Sequence, residues 1–202
     1  VPIPMTTLIL ASKADSASLT LHQAMIEAHT WESTPSPLGE LLISTEIDAH
    51  MLLIDEIHIR SDNMGKMHMD SINKNIHDII VLSKHASSSE VPAMTVHPIG
   101  VPTGQEIGED GRSGGLYGTL VPPNPRMALF LRAIVQKGSL EPNLSKFDLT
   151  LEATHHGPVM SLPTMYVEIG SSEKEWTDSK LASIWAEIII ENLSSKAPDP
   201  NE

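Results

Sequence analysis

The chain has no cysteine, which excludes a disulfide framework, a cysteine-ligated zinc and a cysteine nucleophile. That composition fits a reducing compartment. Aromatic residues are scarce at 3%, so the core has to be filled by Ile, Leu, Val, Ala and the ten methionines, which fill gaps but specify packing weakly. No apolar run is long enough to span a bilayer, so no membrane association is expected. The opening Val1-Pro2-Ile3-Pro4 lacks a basic stretch followed by an apolar one, the mark of a signal peptide. The expectation is a cytoplasmic protein. Basic residues are outnumbered, 13 Lys and Arg against 26 Asp and Glu, giving a net charge of −13. Broad nucleic-acid binding depends on cations neutralising phosphates and is disfavoured, although a local basic pocket is compatible with this charge. The Gly-rich stretch 108–115 fits neither a phosphate-binding loop nor a dinucleotide fingerprint, and no Gly-x-Ser-x-Gly elbow occurs.

What is present suffices for one α/β domain. The chain has 202 residues, 40% hydrophobic and 19% charged, the profile of a globular protein. Strands are predicted over 5–12, 40–44, 51–59, 78–83, 93–96, 147–153 and 164–169. Helices are predicted from an Asp15 or Ser16 cap to about His29, within 61–75, after an Asn124 cap with Pro125 at the first helical position, and from about Glu173 to Leu193. Residues 30–39 and 100–118 read as loops, and 194–202 as a flexible tail beyond a single domain over 1–193. Alternating strands and helices predict a mixed β-sheet covered by helices.

The chemistry-bearing residues gather in two places. His155 and His156 lie between a strand and the breaker Gly157-Pro158, where histidine can bind a metal, move a proton or hold a phosphate. Neighbouring strand residues point to opposite faces. The expectation is therefore that one of the pair serves the site and the other is structural. Glu152 is placed to orient a histidine or to act as an ordinary surface carboxylate. Ser172 and Glu175 fit a helix capping box. His85 and His97 each end a strand. In a simple hairpin they would lie on the order of 20 Å apart, so they converge only if their strands are not partners. Lys84, His85 and Ser87 together suit an anion. The other histidines (22, 29, 50, 58, 68 and 77) show no ligand spacing and read as surface or helix residues.

Glu152-Ala153-Thr154-His155-His156-Gly157-Pro158, followed by Pro163 to Trp176 (PTMYVEIGSSEKEW), resembles the archaeal and plant type of D-aminoacyl-tRNA deacylase. Ser83-Lys84-His85-Ala86-Ser87 and Pro92 to Pro98 (PAMTVHP) resemble it in the same order and spacing. The likeness covers most of the chain and is strongest over 81–98 and 147–191. It implies a phosphorylase/peptidyl-tRNA hydrolase-like α/β fold. It also implies zinc-dependent hydrolysis of the ester between a D-amino acid and tRNA, in translation quality control. On this resemblance, His155, His156, Glu152 and Thr154 are candidate catalytic residues, and Lys84, Ser87 and Glu168 candidate substrate-binding residues. His85, His97 and His156 are candidate zinc ligands, drawn from a set that includes His155. D-aminoacyl-tRNA is the expected partner, met by a monomer.

Two departures bear on activity. The family has Arg-His-Ser-Ser where this chain has Lys84-His85-Ala86-Ser87, which keeps the charge but loses the guanidinium fork. The family also continues past its last helix into a Gly-Gly-Gly-His-Tyr-Ala-Pro segment that these 202 residues do not contain. Rival expectations are a noncatalytic relative acting as a binding protein, and a hydrolase or phosphorylase of a small nucleotide-like substrate.

Overall fold

The computed structural model describes residues 5–102 and 113–194. Its centre is an eight-stranded sheet in the order β2-β3-β4-β1-β5-β10-β6-β9. The strands are β1 Thr7–Ser12, β2 Glu32–Thr34, β3 Glu40–Ser44, β4 Ala49–Ile54, β5 Asp78–Lys84, β6 Ala93–His97, β9 Asp148–Leu151 and β10 Thr164–Gly170. β4, β1, β5 and β10 run parallel, while β6 pairs antiparallel to β10 and parallel to β9. The predicted mixed α/β sheet is the fold observed.

The apolar alternation of each strand divides the core in two. Ile9, Ala11, Ile80, Leu82, Met94, Val96, Met165 and Val167 face one layer. That layer is covered by α1 (Ser16–Ala28), α3 (Met127–Leu140) and α5 (Ser179–Ser194), with α5 packed against both others. Leu8, Leu10, Ile79, Val81 and Tyr166 face the opposite layer, closed by α2 (Met64–Ile72) and the chain around 158–162. Central strands with both faces covered need continuous apolar runs, and β1 and β10 are buried at every position. Among the described residues, no helix is long and apolar enough to cross a membrane.

Local signals located many elements. Asp15 caps α1, its carboxylate accepting the Ser18 N–H at 2.9 Å. The capping box forms at α4 (Glu173–Trp176), where Glu175 accepts the Ser172 N–H at 3.0 Å. Other expectations are corrected. The last helix is two helices, because Asp178 accepts the N–H groups of Lys180 and Leu181 and starts α5 afresh. α3 begins at Met127 rather than at Asn124-Pro125. The Asn124 Oδ1 accepts the Arg126 N–H at 2.9 Å one turn earlier, while its amide nitrogen donates to Asp78 Oδ2 at 3.0 Å and to the Ile79 carbonyl at 3.1 Å. β4 ends at Ile54, and His58–Arg60 is a 3-10 turn. β2 lies in the stretch read as loop 30–39, paired with β3. β7 Gly100–Val101, in the stretch read as loop 100–118, pairs antiparallel with β8 Thr119–Leu120 just beyond it. Residues 103–112 and the tail from 195 lie outside the described residues.

Candidate functional site

β10 lies between β5 and β6, so the ends of strands 5 and 6 flank it instead of pairing. That order answers the hairpin objection. Glu168, in the middle of β10, has one carboxylate oxygen 3.3 Å from His85 Nδ1 and the other 3.3 Å from His97 Nε2. Thr95 on β6 also donates to it at 3.3 Å. Tyr166, Glu168, Thr95 and His97 alternate away from the helical layer of α1, α3 and α5. The site therefore opens on the other side of the sheet.

Two clusters meet at this carboxylate. In the first, one ring nitrogen from each of His97, His155 and His156 lies within 4.8 Å of the others. The rings of His97 and His155 stack with centroids 4.2 Å apart, and His156 meets His97 edge-on at 4.9 Å. Both members of the double histidine therefore reach the same cluster, against the expected division of labour. The physical reason is the backbone. β9 ends at Leu151, so the pair does not lie in a strand. His155 makes an isolated bridge to Ile99, and His156 takes a left-handed conformation with φ 47°, which frees the two side chains from opposite faces. Gly157 is required next to it. A Cβ there would meet the Gly115 nitrogen at 2.2 Å and the Ile59 carbonyl oxygen at 2.6 Å.

The three rings are held alike. Nδ1 lies 2.9 Å from the Pro98 carbonyl in His97, 2.7 Å from that of Ala153 in His155, and 2.6 Å from that of Gly157 in His156. A carbonyl only accepts, so each Nδ1 carries a hydrogen, which leaves Nε2 as the nitrogen of each ring not tied to a carbonyl. The Nε2 of His97 is buried with no hydrogen-bond partner of good geometry. Burial, then the neighbouring His97, pushes the His156 pKa down to about 3, leaving it neutral at physiological pH. Burial also lowers His97, but the charge and hydrogen bond of Glu168 outweigh it and leave that ring raised.

In the second cluster, His85, Glu152 and Glu168 bring one ligand atom each within 4.8 Å of the others. His85 Nδ1 lies 2.9 Å from Glu152 Oε1. Hydrogen bonds to Glu152 and then Glu168 raise the His85 pKa to about 10, so this histidine is a cation. Burial raises both carboxyls, but His85 outweighs it at Glu152, and His97 with His85 outweighs it at Glu168, leaving both depressed. The Glu152 Oε2, 3.8 Å from His155 Nε2, joins the two clusters at their open edge.

Of the proposed metal set, His97 and His156 share a cluster with His155, while His85 lies in the other with Glu152 and Glu168. Lys84 is exposed, its ammonium 5.0 Å over the Trp176 ring. Ser87 is used in its own turn, with its hydroxyl 3.0 Å from that of Ser89 and accepting the Ser89 N–H at 3.3 Å. Thr154 is half-buried on the segment entering the cluster. His50, His58 and His68, read as surface or helix residues, are each buried to 1% exposure or less. His50 and His68 contact one another at 2.9 Å.

The family model described as D-aminoacyl-tRNA deacylase matches residues 72–202. A D-aminoacyl-tRNA deacylase of Arabidopsis thaliana is 31% identical over 94% of this chain and 59% of its own length. One from Methanosarcina mazei is 31% identical over 94% of this chain and 63% of its own length. The chain thus spans about three fifths of the length of these relatives. Among solved structures, a conserved protein of unknown function, AF0625, aligns with a TM-score of 0.81 at 25% identity, over 96% of this chain and 64% of that one. A 5'-methylthioadenosine/S-adenosyl homocysteine nucleosidase of Campylobacter jejuni shares the fold, with a TM-score of 0.54 at 7% identity, over 93% of this chain and 97% of its own.

Proposed function

The chain belongs to the D-aminoacyl-tRNA deacylase family, and we propose that its paired clusters hydrolyse the ester joining a D-amino acid to the 3′ end of tRNA. The observation that carries this reading is the shared tethering of His97, His155 and His156. Three Nδ1 atoms are bonded to carbonyls, and one nitrogen of each ring lies within 4.8 Å of the others, beside a cationic histidine held by two carboxylates.

This donor set fits zinc. Imidazoles with the second nitrogen engaged by a carbonyl are the usual protein ligands for that ion, and the His97 Nε2, which makes no well-formed hydrogen bond, would give up to the metal the proton that Glu168 favours on that ring. His97, His155 and His156 would hold the metal, which when bound lowers the pKa of a coordinated water to about 7. Glu168, 3.3 Å from His97 Nε2, adds negative charge behind the ligands. Glu152 Oε2, at the open edge next to His155, takes the proton of the attacking water and returns it to the departing 3′ oxygen of the tRNA as the ester C–O bond breaks. His85 keeps its proton at neutral pH, so it serves as a fixed positive charge for the developing oxyanion rather than as a proton donor.

The test is release of D-tyrosine from D-Tyr-tRNA by the zinc-loaded, chelator-treated and His156→Ala proteins. Hydrolysis is expected to fall by about 10³-fold on metal removal or in the variant, and to return when zinc is restored to the wild type. Full activity of the metal-free protein would remove the metal from the account, and undiminished activity of His156→Ala would remove that residue.

A further inference from the structure

A second buried chain of polar side chains ends on the histidine cluster. Asp15 and His58 are each 1% exposed, and Tyr166 is fully buried. His58 Nε2 lies 3.2 Å from Asp15 Oδ2, and His58 Nδ1 lies 3.1 Å from the Tyr166 hydroxyl. A carboxylate only accepts, so His58 carries its hydrogen on Nε2 and takes the Tyr166 O–H on Nδ1. The Tyr166 ring, tethered in this way, stacks on His97 with centroids 5.2 Å apart and meets His156 edge-on at 4.7 Å. His97 is consequently sandwiched between Tyr166 and His155.

The same carboxylate reaches the other cluster. Asp15 Oδ2 accepts the Lys84 N–H at 3.0 Å, in the residue before His85, and Asp15 Oδ1 caps α1. The segment after His58 grips the double-histidine loop as well. The Val159 N–H donates to Asp62 at 2.8 Å, and the Asn63 N–H donates to the Val159 carbonyl at 2.8 Å. One buried acid thus touches the arm that carries His85 and, through His58 and Tyr166, the wall behind His97 and His156. Capping a helix needs only one carboxylate oxygen, so the cap does not account for the second oxygen, which meets both the Lys84 N–H and His58, or for the buried imidazole.

We propose that Asp15, His58 and Tyr166 are positioning residues that set the histidine cluster and the His85 cluster in register. The chain acts behind the reacting groups, through the orientation of the His97 and His156 rings. The proposal rests on the reading of those rings as the functional site.

The experiment compares Tyr166→Phe and Asp15→Asn with the wild type. Both keep the shape of the side chain, and each breaks the chain at a different end. Long-range proton–nitrogen spectra of the metal-free proteins report the hydrogen position and environment of each histidine ring. In the wild type His58 is expected in the Nε2–H form. Both variants are expected to shift the ring signals of His97 and His156, and to lower kcat on D-Tyr-tRNA by about 10- to 100-fold with KM within about twofold. Unchanged His97 and His156 signals in Tyr166→Phe, with only a lower melting temperature, would reduce the chain to packing and overturn the proposal. So would a His58 ring in the Nδ1–H form in the wild type. A wild type inactive on D-Tyr-tRNA would count against the deacylase reading alone, and the ring signals would still decide this one.

Discussion

His85 and His156 lie in neighbouring clusters joined through Glu168, yet their surroundings drive them in opposite directions. His85 has its Nδ1 against two carboxylates and a pKa raised to about 10. His156 has its Nδ1 against a carbonyl, a second imidazole beside it, and a pKa lowered to about 3. The first is built to keep a proton, and the second to keep a lone pair. What separates the two roles is the acceptor behind Nδ1 and the charge around the ring, not exposure alone. The contact between His50 and His68 makes the same point. Both are buried and pushed down to about 4 by desolvation. Both rings are closed in, and they meet only each other among the histidines, so neutrality without access gives packing.

The contrast is broken most severely at the shared carboxylate. Glu168→Gln keeps the shape and removes the charge that both clusters use. It is expected to lower hydrolysis by about 10³-fold and to bring the His85 pKa down from about 10, as read from a pH profile and a ring titration. Glu152→Gln touches only the cationic half and the open edge. The expected loss is smaller, about 10²-fold, with the affinity for zinc, measured by competition with a chelator, little changed. Equal losses of metal affinity in the two variants would erase the distinction between the halves.

The sequence carried whatever is decided locally. The apolar runs of β1, β5 and β10, the Asp15 cap and the Ser172–Glu175 box are all set by residues within a few positions of each other. The motifs around His85, His97 and His155-His156 located the site. Their grouping was not legible, because it depends on β10 inserting between β5 and β6, a choice made by pairing across the chain. The left-handed backbone at His156 was also hidden, since Gly157 and Pro158 drew the turn to themselves. His58 was the least legible of these residues. It meets Tyr166 across 108 positions of sequence, and nothing in its neighbourhood distinguishes a histidine that will be buried beside an aspartate. The break before α5 was signalled by Asp178, a good cap five residues after the start of the predicted helix.

The opposite tuning of the two histidines also sets opposite pH limits. The folded value of His85 lies above the ordinary 6.5. Its stabilising contribution is therefore complete below that value and lost as pH rises toward about 10. The folded value of His156 lies below 6.5. Its contribution is present above that value and lost as pH falls toward about 3. The most direct test is a nitrogen-edited titration of both rings in the metal-free protein. His85 is expected to be still protonated at pH 8 while His156 is already neutral at pH 5. Titration of both rings together near 6.5 would contradict it.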